Sequence, residues 1–131
     1  AAIAFDAEGA LYWADFQEGG LVFREPVGGG ITQILDFPDT YGVRDLSIGA
    51  DGRLYMVGVG PDDGFRVHQQ DGTLVETLPL PGEGWGVDTH TTGETWVMIG
   101  SADPAIYKRN GQSWDLVTTI PEGIGSLRIV P

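Results

Sequence analysis

The chain has 131 residues, with 21 Gly, 8 Pro, 41% hydrophobic and 20% charged residues, so it reads as one domain, 1–131, made of many short elements. Nineteen acidic against seven basic side chains give a formal charge of −12, which repels a phosphate backbone and an anionic bilayer, so neither nucleic acid nor membrane insertion is expected. There is no cysteine, which excludes disulfides, thiolate zinc sites and a cysteine nucleophile.

In chain order the first run is "AIAF" (2–5), short and built of small and aliphatic side chains. No basic leader precedes it and no apolar stretch approaches the roughly 18 residues of a membrane span. Either a leader has been removed or further repeats adjoin. "DAEG" (6–9) is a turn, "LYWAD" (11–15) and "LVFRE" (21–25) are apolar-aromatic runs, "GGG" (28–30) is a second turn, and "ITQIL" (31–35) is a fourth run before the linker "PDTYG" (38–42). The order then returns as "DLSI" (45–48), "ADG" (50–52), "LYMVG" (54–58), "FRVHQ" (65–69), "DG" (71–72), "TLVETL" (73–78) and the linker "PGEGWG" (81–86). A weaker third copy begins at "VDTHTTGETWVMI" (87–99) and continues through "AIYKR" (105–109), "NG" (110–111), "WDLVTTI" (114–120) and "PEGIG" (121–125).

Gly9, Gly52 and Gly93 align at spacings of 43 and 41 residues, and Phe23, Phe65 and Ile106 are read as equivalent. Each copy predicts four strands rich in β-branched and aromatic residues, punctuated by the acid-glycine corners that tight hairpins with positive φ require. The repeats run about 1–42, 43–85 and 86–125, and "SLRIVP" (126–131) matches the first strand of a further copy. Four-stranded units of about 40 to 45 residues arranged radially make a β-propeller.

At this point the copies resemble the blades of propellers of the NHL, SMP-30 and YWTD type. "LYWAD" is similar to the YWTD strand with Ala14 in the Thr place, whereas "LYMVG" and "TWVMI" depart from it. The expected fold is all-β, with three four-stranded antiparallel blades plus one extra inner strand, forming half or part of a six-bladed ring. A β-trefoil, also three repeats of roughly 40 residues, is the alternative.

The resemblance implies a functional face around the channel, where the last strand of one blade leads to the first of the next. That nominates Tyr41, Arg44 and Asp45 in "TYGVRD" (40–45), Trp85, Asp88 and His90 in "GWGVDTH" (84–90), and "GIGSLR" (123–128). Charges beside inner strands are costly unless paired, so Arg44 and Asp45 either satisfy backbone and inter-blade partners or meet a ligand. Trp85 and Tyr41 precede inner strands at equivalent positions, where the third linker carries Ile124; their rings either stack on a flat ligand or pack between blades. His90 falls in a turn, near the places of Ala7 and Gly49, and His68 lies off the inner strands. Trp13, Trp96 and Trp114 are expected in the core. "GPDDG" (60–64) lacks the spacing of a calcium loop, and no G-x-S-x-G, H-E-x-x-H or phosphate loop is present.

SMP-30-like relatives include lactonases and esterases whose cation is held by Glu, Asn and Asp of inner strands. The only Asn here is Asn110, in a predicted hairpin, so that set is not carried over and no metal or cofactor is expected. The expectation is a non-catalytic binding scaffold, secreted or periplasmic, that takes a protein, glycan or small molecule at the channel face and associates with itself or with further blades. The alternatives are a metal-dependent hydrolase or lyase completed by a partner chain or missing blades, and a carbohydrate-binding trefoil.

Overall fold

The computed structural model describes residues 2–15, 20–37, 42–59, 64–100, 104–120 and 128. Tyr41, most of "GPDDG" and all of "SLRIVP" except Arg128 lie outside these described residues.

Among the described residues twelve strands form three sheets, each a meander in which consecutive strands pair antiparallel. The first holds β1 (Ala2–Phe5), β2 (Leu11–Asp15), β3 (Leu21–Glu25) and β4 (Thr32–Asp36). The second holds β5 (Gly42–Ile48), β6 (Leu54–Val59), β7 (Phe65–His68) and β8 (Leu74–Leu78). The third holds β9 (Gly84–Thr89), β10 (Thr95–Ile99), β11 (Ala105–Asn110) and β12 (Ser113–Thr119). β1 packs beside β5 and β5 beside β9, so the first strands line up at the inside of the fan. This is the blade arrangement of a β-propeller, and the trefoil alternative is set aside because each sheet is a separate open meander of four consecutive strands.

The first corner of every blade has one construction. Gly9, Gly52 and Gly93 donate their N–H to the carbonyls of Asp6, Gly49 and His90 at 3.1, 2.9 and 2.9 Å, and all three glycines have φ between 78° and 95°. A side chain there would be forced into the left-handed region.

Two layers of core separate the blades. Ala2, Tyr12, Ala14 and Val22 of blade 1 bury against Val43, Leu46, Leu54 and Met56 of blade 2. The opposite face of blade 2 gives Val57, Phe65, Val67 and Leu78 to a layer with Val87, Val97 and Ile99. Strand alternation explains the split, since Met56 and Val57 point to opposite faces.

Two sequence expectations are corrected. Ala14 pairs with Val22 and Val57 with Phe65, so Val22 and not Phe23 takes the Phe65 place; this one-residue slip sends Phe23 to the other face, where it stacks on Trp13 at 5.3 Å between centroids. Trp13, Trp96 and Trp114 are half-buried rather than core. Trp13 and Trp96 lie on the faces of blades 1 and 3 turned away from blade 2, and Trp114 sits on outermost β12 with its indole N–H donated to the Pro79 carbonyl at 2.9 Å. β5 is also longer than "DLSI", because pairing runs back to Gly42.

Candidate functional site

The β5–β9 junction carries the polar residues of the inner wall. Its first feature is a pair of β-bulges. The β5–β6 ladder passes from Val43↔Gly58 to Asp45↔Val57, leaving Arg44 without an opposite residue. The β10–β9 ladder passes from Met98↔Gly86 to Ile99↔Gly84, leaving Trp85 in the same situation. Trp85 lies within β9 rather than before it, and at 41 residues from Arg44, the spacing of Gly52 and Gly93, it matches Arg44 and not Tyr41 as the linkers suggested, so one irregularity occurs at the same place in two consecutive blades. A bulge re-aims the side chain it carries, and here it brings the two together: the Arg44 guanidinium lies over the Trp85 ring, 4.9 Å from its centroid. One glycine makes room for the indole and another for the blade 2 wall beside it. Trp85 packs directly on Gly100, where a Cβ would collide with the ring, and the preceding Gly84 lies where a Cβ would fall 2.7 Å from Val57 Cβ.

Asp45 follows the β5 bulge and is buried, 7% exposed. Its Oδ1 accepts the Leu46 N–H and its Oδ2 accepts the Val87 N–H of the next blade, both at 3.0 Å, and Arg128 Nη1 stands 3.5 Å from Oδ2. Burial raises the carboxyl above its usual pKa, opposed by the Val87 N–H and by the Arg128 charge. Two residues along β5, Ser47 Oγ donates to Asp88 Oδ1 at 3.2 Å and stands 3.0 Å from Thr89 Oγ1. The two inner strands are thus joined by side chains at successive levels.

The nominated residues divide between the ends of this junction. Arg44, Asp45 and Trp85 gather where the inner strands begin. Asp88 lies lower in the wall, and His90 occupies the far corner, where its Nδ1 stands 2.7 Å from Thr92 Oγ1. Arg128, the described member of "GIGSLR", reaches the first group. Its sequence signal was its place just after the third linker. His68 is buried in the outer part of blade 2, edge-on to Phe37 at 5.4 Å between centroids, with Nδ1 2.9 Å from the Gly72 carbonyl; burial lowers its pKa. Among the described residues no group of three His, Asp or Glu stands together as a metal site.

A second concavity lies at the opposite end of the same junction. A cleft of about 320 Å³ runs between the first corners of blades 2 and 3, with Gly49, Asp51 and Tyr55 on one side and Thr91, Thr92 and Gly93 on the other. Composition gave no signal of it, because it depends on how two corners from adjacent blades face one another.

No protein-family model matches the sequence, and no curated protein is similar to it. Solved structures do resemble the chain. A streptogramin B lyase superposes with a TM-score of 0.72 at 16% identity, covering 88% of this chain and 39% of that one. Virginiamycin B lyase from Staphylococcus aureus gives 0.69 at 18% identity, with the same coverages of 88% and 39%. A prolyl endopeptidase gives 0.63 at 16% identity, covering 88% of this chain and 19% of that one. These likenesses establish the β-propeller fold, and the chain spans about two fifths of the length of the two lyases.

Proposed function

We propose that the chain is a non-catalytic recognition module, a part-propeller of the NHL, SMP-30 and YWTD kind, whose binding face is the end of the junction that carries Arg44, Trp85, Asp45 and Arg128. The observation that supports this reading is the matched pair of bulges. Two interruptions of the ladder at one repeat position cost backbone pairing, and they present a guanidinium and an indole as a stacked pair. Such a surface suits a ligand with a flat ring and acceptor atoms, or a protein loop presenting them. The experiment is an NMR screen of the ¹⁵N-labelled chain with aromatic carboxylates. Shifts should gather at Arg44, Asp45 and Trp85–Val87, and Trp85→Ala should abolish them while the circular dichroism stays that of the parent. Loss of the fold in Trp85→Ala, with no shifts in the parent, would return the indole to a packing role.

A catalytic reading has one observation on its side, the likeness to two lyases. On that reading the remaining groups come from further blades or a partner chain. An S. aureus virginiamycin B lyase has been crystallised with quinupristin, so quinupristin is the substrate to offer. Under our reading the isolated chain leaves it intact, with or without added divalent metal.

A further inference from the structure

The cleft at the far end of the β5–β9 junction is lined on one side by a corner at which blade 2 departs from blade 1. In blade 1 the corner opens with Asp6, whose Oδ1 accepts the N–H groups of Glu8 and Ala10 at 3.0 and 2.9 Å and whose Oδ2 accepts the Tyr12 hydroxyl at 3.0 Å. The carboxylate fills the corner, and Tyr12 is fully buried over it. In blade 2 the equivalent place is Gly49, and the acid sits two residues later as Asp51. The ring of Tyr55, equivalent to Tyr12, slides over the glycine, where a Cβ would lie 2.5 Å from Cε2. Its hydroxyl turns outward to donate to Asp51 Oδ2 at 2.6 Å. The space Asp6 fills in blade 1 is taken in blade 2 by the Tyr55 ring and the Asp51 carboxylate, and the cleft lies between these groups and the Thr91–Thr92 corner of blade 3.

The charges around this opening cancel in pairs. Asp51 lies 4.0 Å from Arg53, and in the adjoining hollow that shares Tyr55 and Thr92, Glu94 lies 3.2 Å from Lys108 and Arg109 is held by Glu76 at 2.6 Å. An ionic ligand would have to break one of these pairs. A neutral ligand would find an aromatic wall, a carboxylate acceptor and threonine hydroxyls that both donate and accept. The volume of about 320 Å³ is at the small end of the roughly 300–1,000 Å³ usual for ligand pockets.

We infer that the Gly49–Tyr55–Thr92 cleft is a binding site for a neutral polyhydroxylated ligand of mono- or disaccharide size, separate from the Arg44–Trp85 face. The test is titration of the ¹⁵N-labelled chain with cellobiose, maltose and N,N′-diacetylchitobiose, each to about 20 mM, beyond the roughly millimolar Kd of weak specific binding, with glucuronate as the anionic control. At least one neutral sugar should shift the amides of residues 49–51 and 91–93, glucuronate should not, and Asp51→Asn, which keeps the oxygen that Tyr55 bonds, should weaken binding about tenfold. Thr91→Val should do the same without lowering the melting temperature. Silence with all three sugars, shifts confined to Arg44 and Trp85, or an Asp51→Asn variant that binds as the parent does would overturn the assignment; the second result would leave the Arg44–Trp85 reading standing.

Discussion

The Asp45 carboxylate of β5 accepts the Val87 N–H of β9 at 3.0 Å, so a side chain of one blade satisfies an open-edge amide of the next. An inner strand has a partner on one side only, and an amide on its free edge needs an acceptor that the sheet does not supply.

Asp45→Ala is expected to cost about 1–3 kcal/mol, the usual penalty for leaving a buried donor unsatisfied. Acid dependence supplies a second check. Because burial raises the Asp45 pKa, the folded protein holds this proton more tightly than the unfolded chain. The residue's contribution to stability therefore grows as pH falls through the raised value and levels off below the unfolded one, near 3.9. Urea midpoints at pH 7 and pH 4 should show the parent gaining on Asp45→Asn, and a parent that loses ground would refute the assignment.

Glu76 should behave in the opposite sense. Its two oxygens accept from Arg109 Nη1 and Nη2 at 2.6 and 2.9 Å, linking β8 to β11, and the bond to Arg109 lowers its pKa. This pair stabilises above the unfolded value near 4.3 and is lost as pH falls through the lowered folded one. Glu76 is partly exposed, so Glu76→Gln should cost about 1 kcal/mol or less at pH 7 and nothing at pH 2. A cost that persists at pH 2 would point to packing instead.

Gly28 and Gly72 separate backbone strain from crowding. Both have positive φ, 100° and 94°, but a Cβ at Gly28 meets nothing within 4 Å whereas one at Gly72 runs into the Ile34 carbonyl of blade 1. Gly28→Ala should cost roughly 1–2 kcal/mol from strain alone, and Gly72→Ala clearly more. Equal melting temperatures would show that the Gly72 corner moves freely off β4.

Ile3 is 56% exposed, although its equivalents in blades 2 and 3, Leu46 and Val87, are 1% and 0% exposed. With Phe5 at 62% it marks a blade face that lacks a neighbour among the described residues. The 14.0 kDa chain is expected to self-associate, and Ile3→Glu should shift its light-scattering mass toward the monomer without unfolding it. A monodisperse parent monomer would count against any self-assembly through this face.

The strands were legible because each corner declares itself: "LYWAD" and "LVFRE" coincide with β2 and β3, and Gly9, Gly52 and Gly93 take the positive φ that hairpins need. The inner wall was legible in location only. Trp85 reads as level with Tyr41 in the linkers rather than with Arg44, and a bulge inserts a residue without altering composition, so the meeting of Arg44 and Trp85 left one trace, the glycines on either side of Trp85. The slip at Phe23 is a matter of register, whereas the overestimated burial of Trp13 and Trp96 has another cause. Alternation assigns residues to two faces but does not say which face has a neighbour. The cleft at Gly49 escaped for another reason, because a corner that is ordinary in its own blade becomes a wall only through what the adjacent blade sets opposite it.

Blade 2 is the blade with both faces covered, by Tyr12 and Val22 on one side and by Val87 and Val97 on the other. Each meander forms from hairpins close in sequence and so adds little loop-closure entropy, whereas the contacts between blades join residues about forty positions apart. Blade 2 is therefore expected to be the last unit to open, and its neighbours to open from their outer strands. Amides of Met56 and Val57, one facing each layer, should exchange with deuterium only through global unfolding, and those of Leu116 and Val117 on exposed β12 far faster, through local fraying.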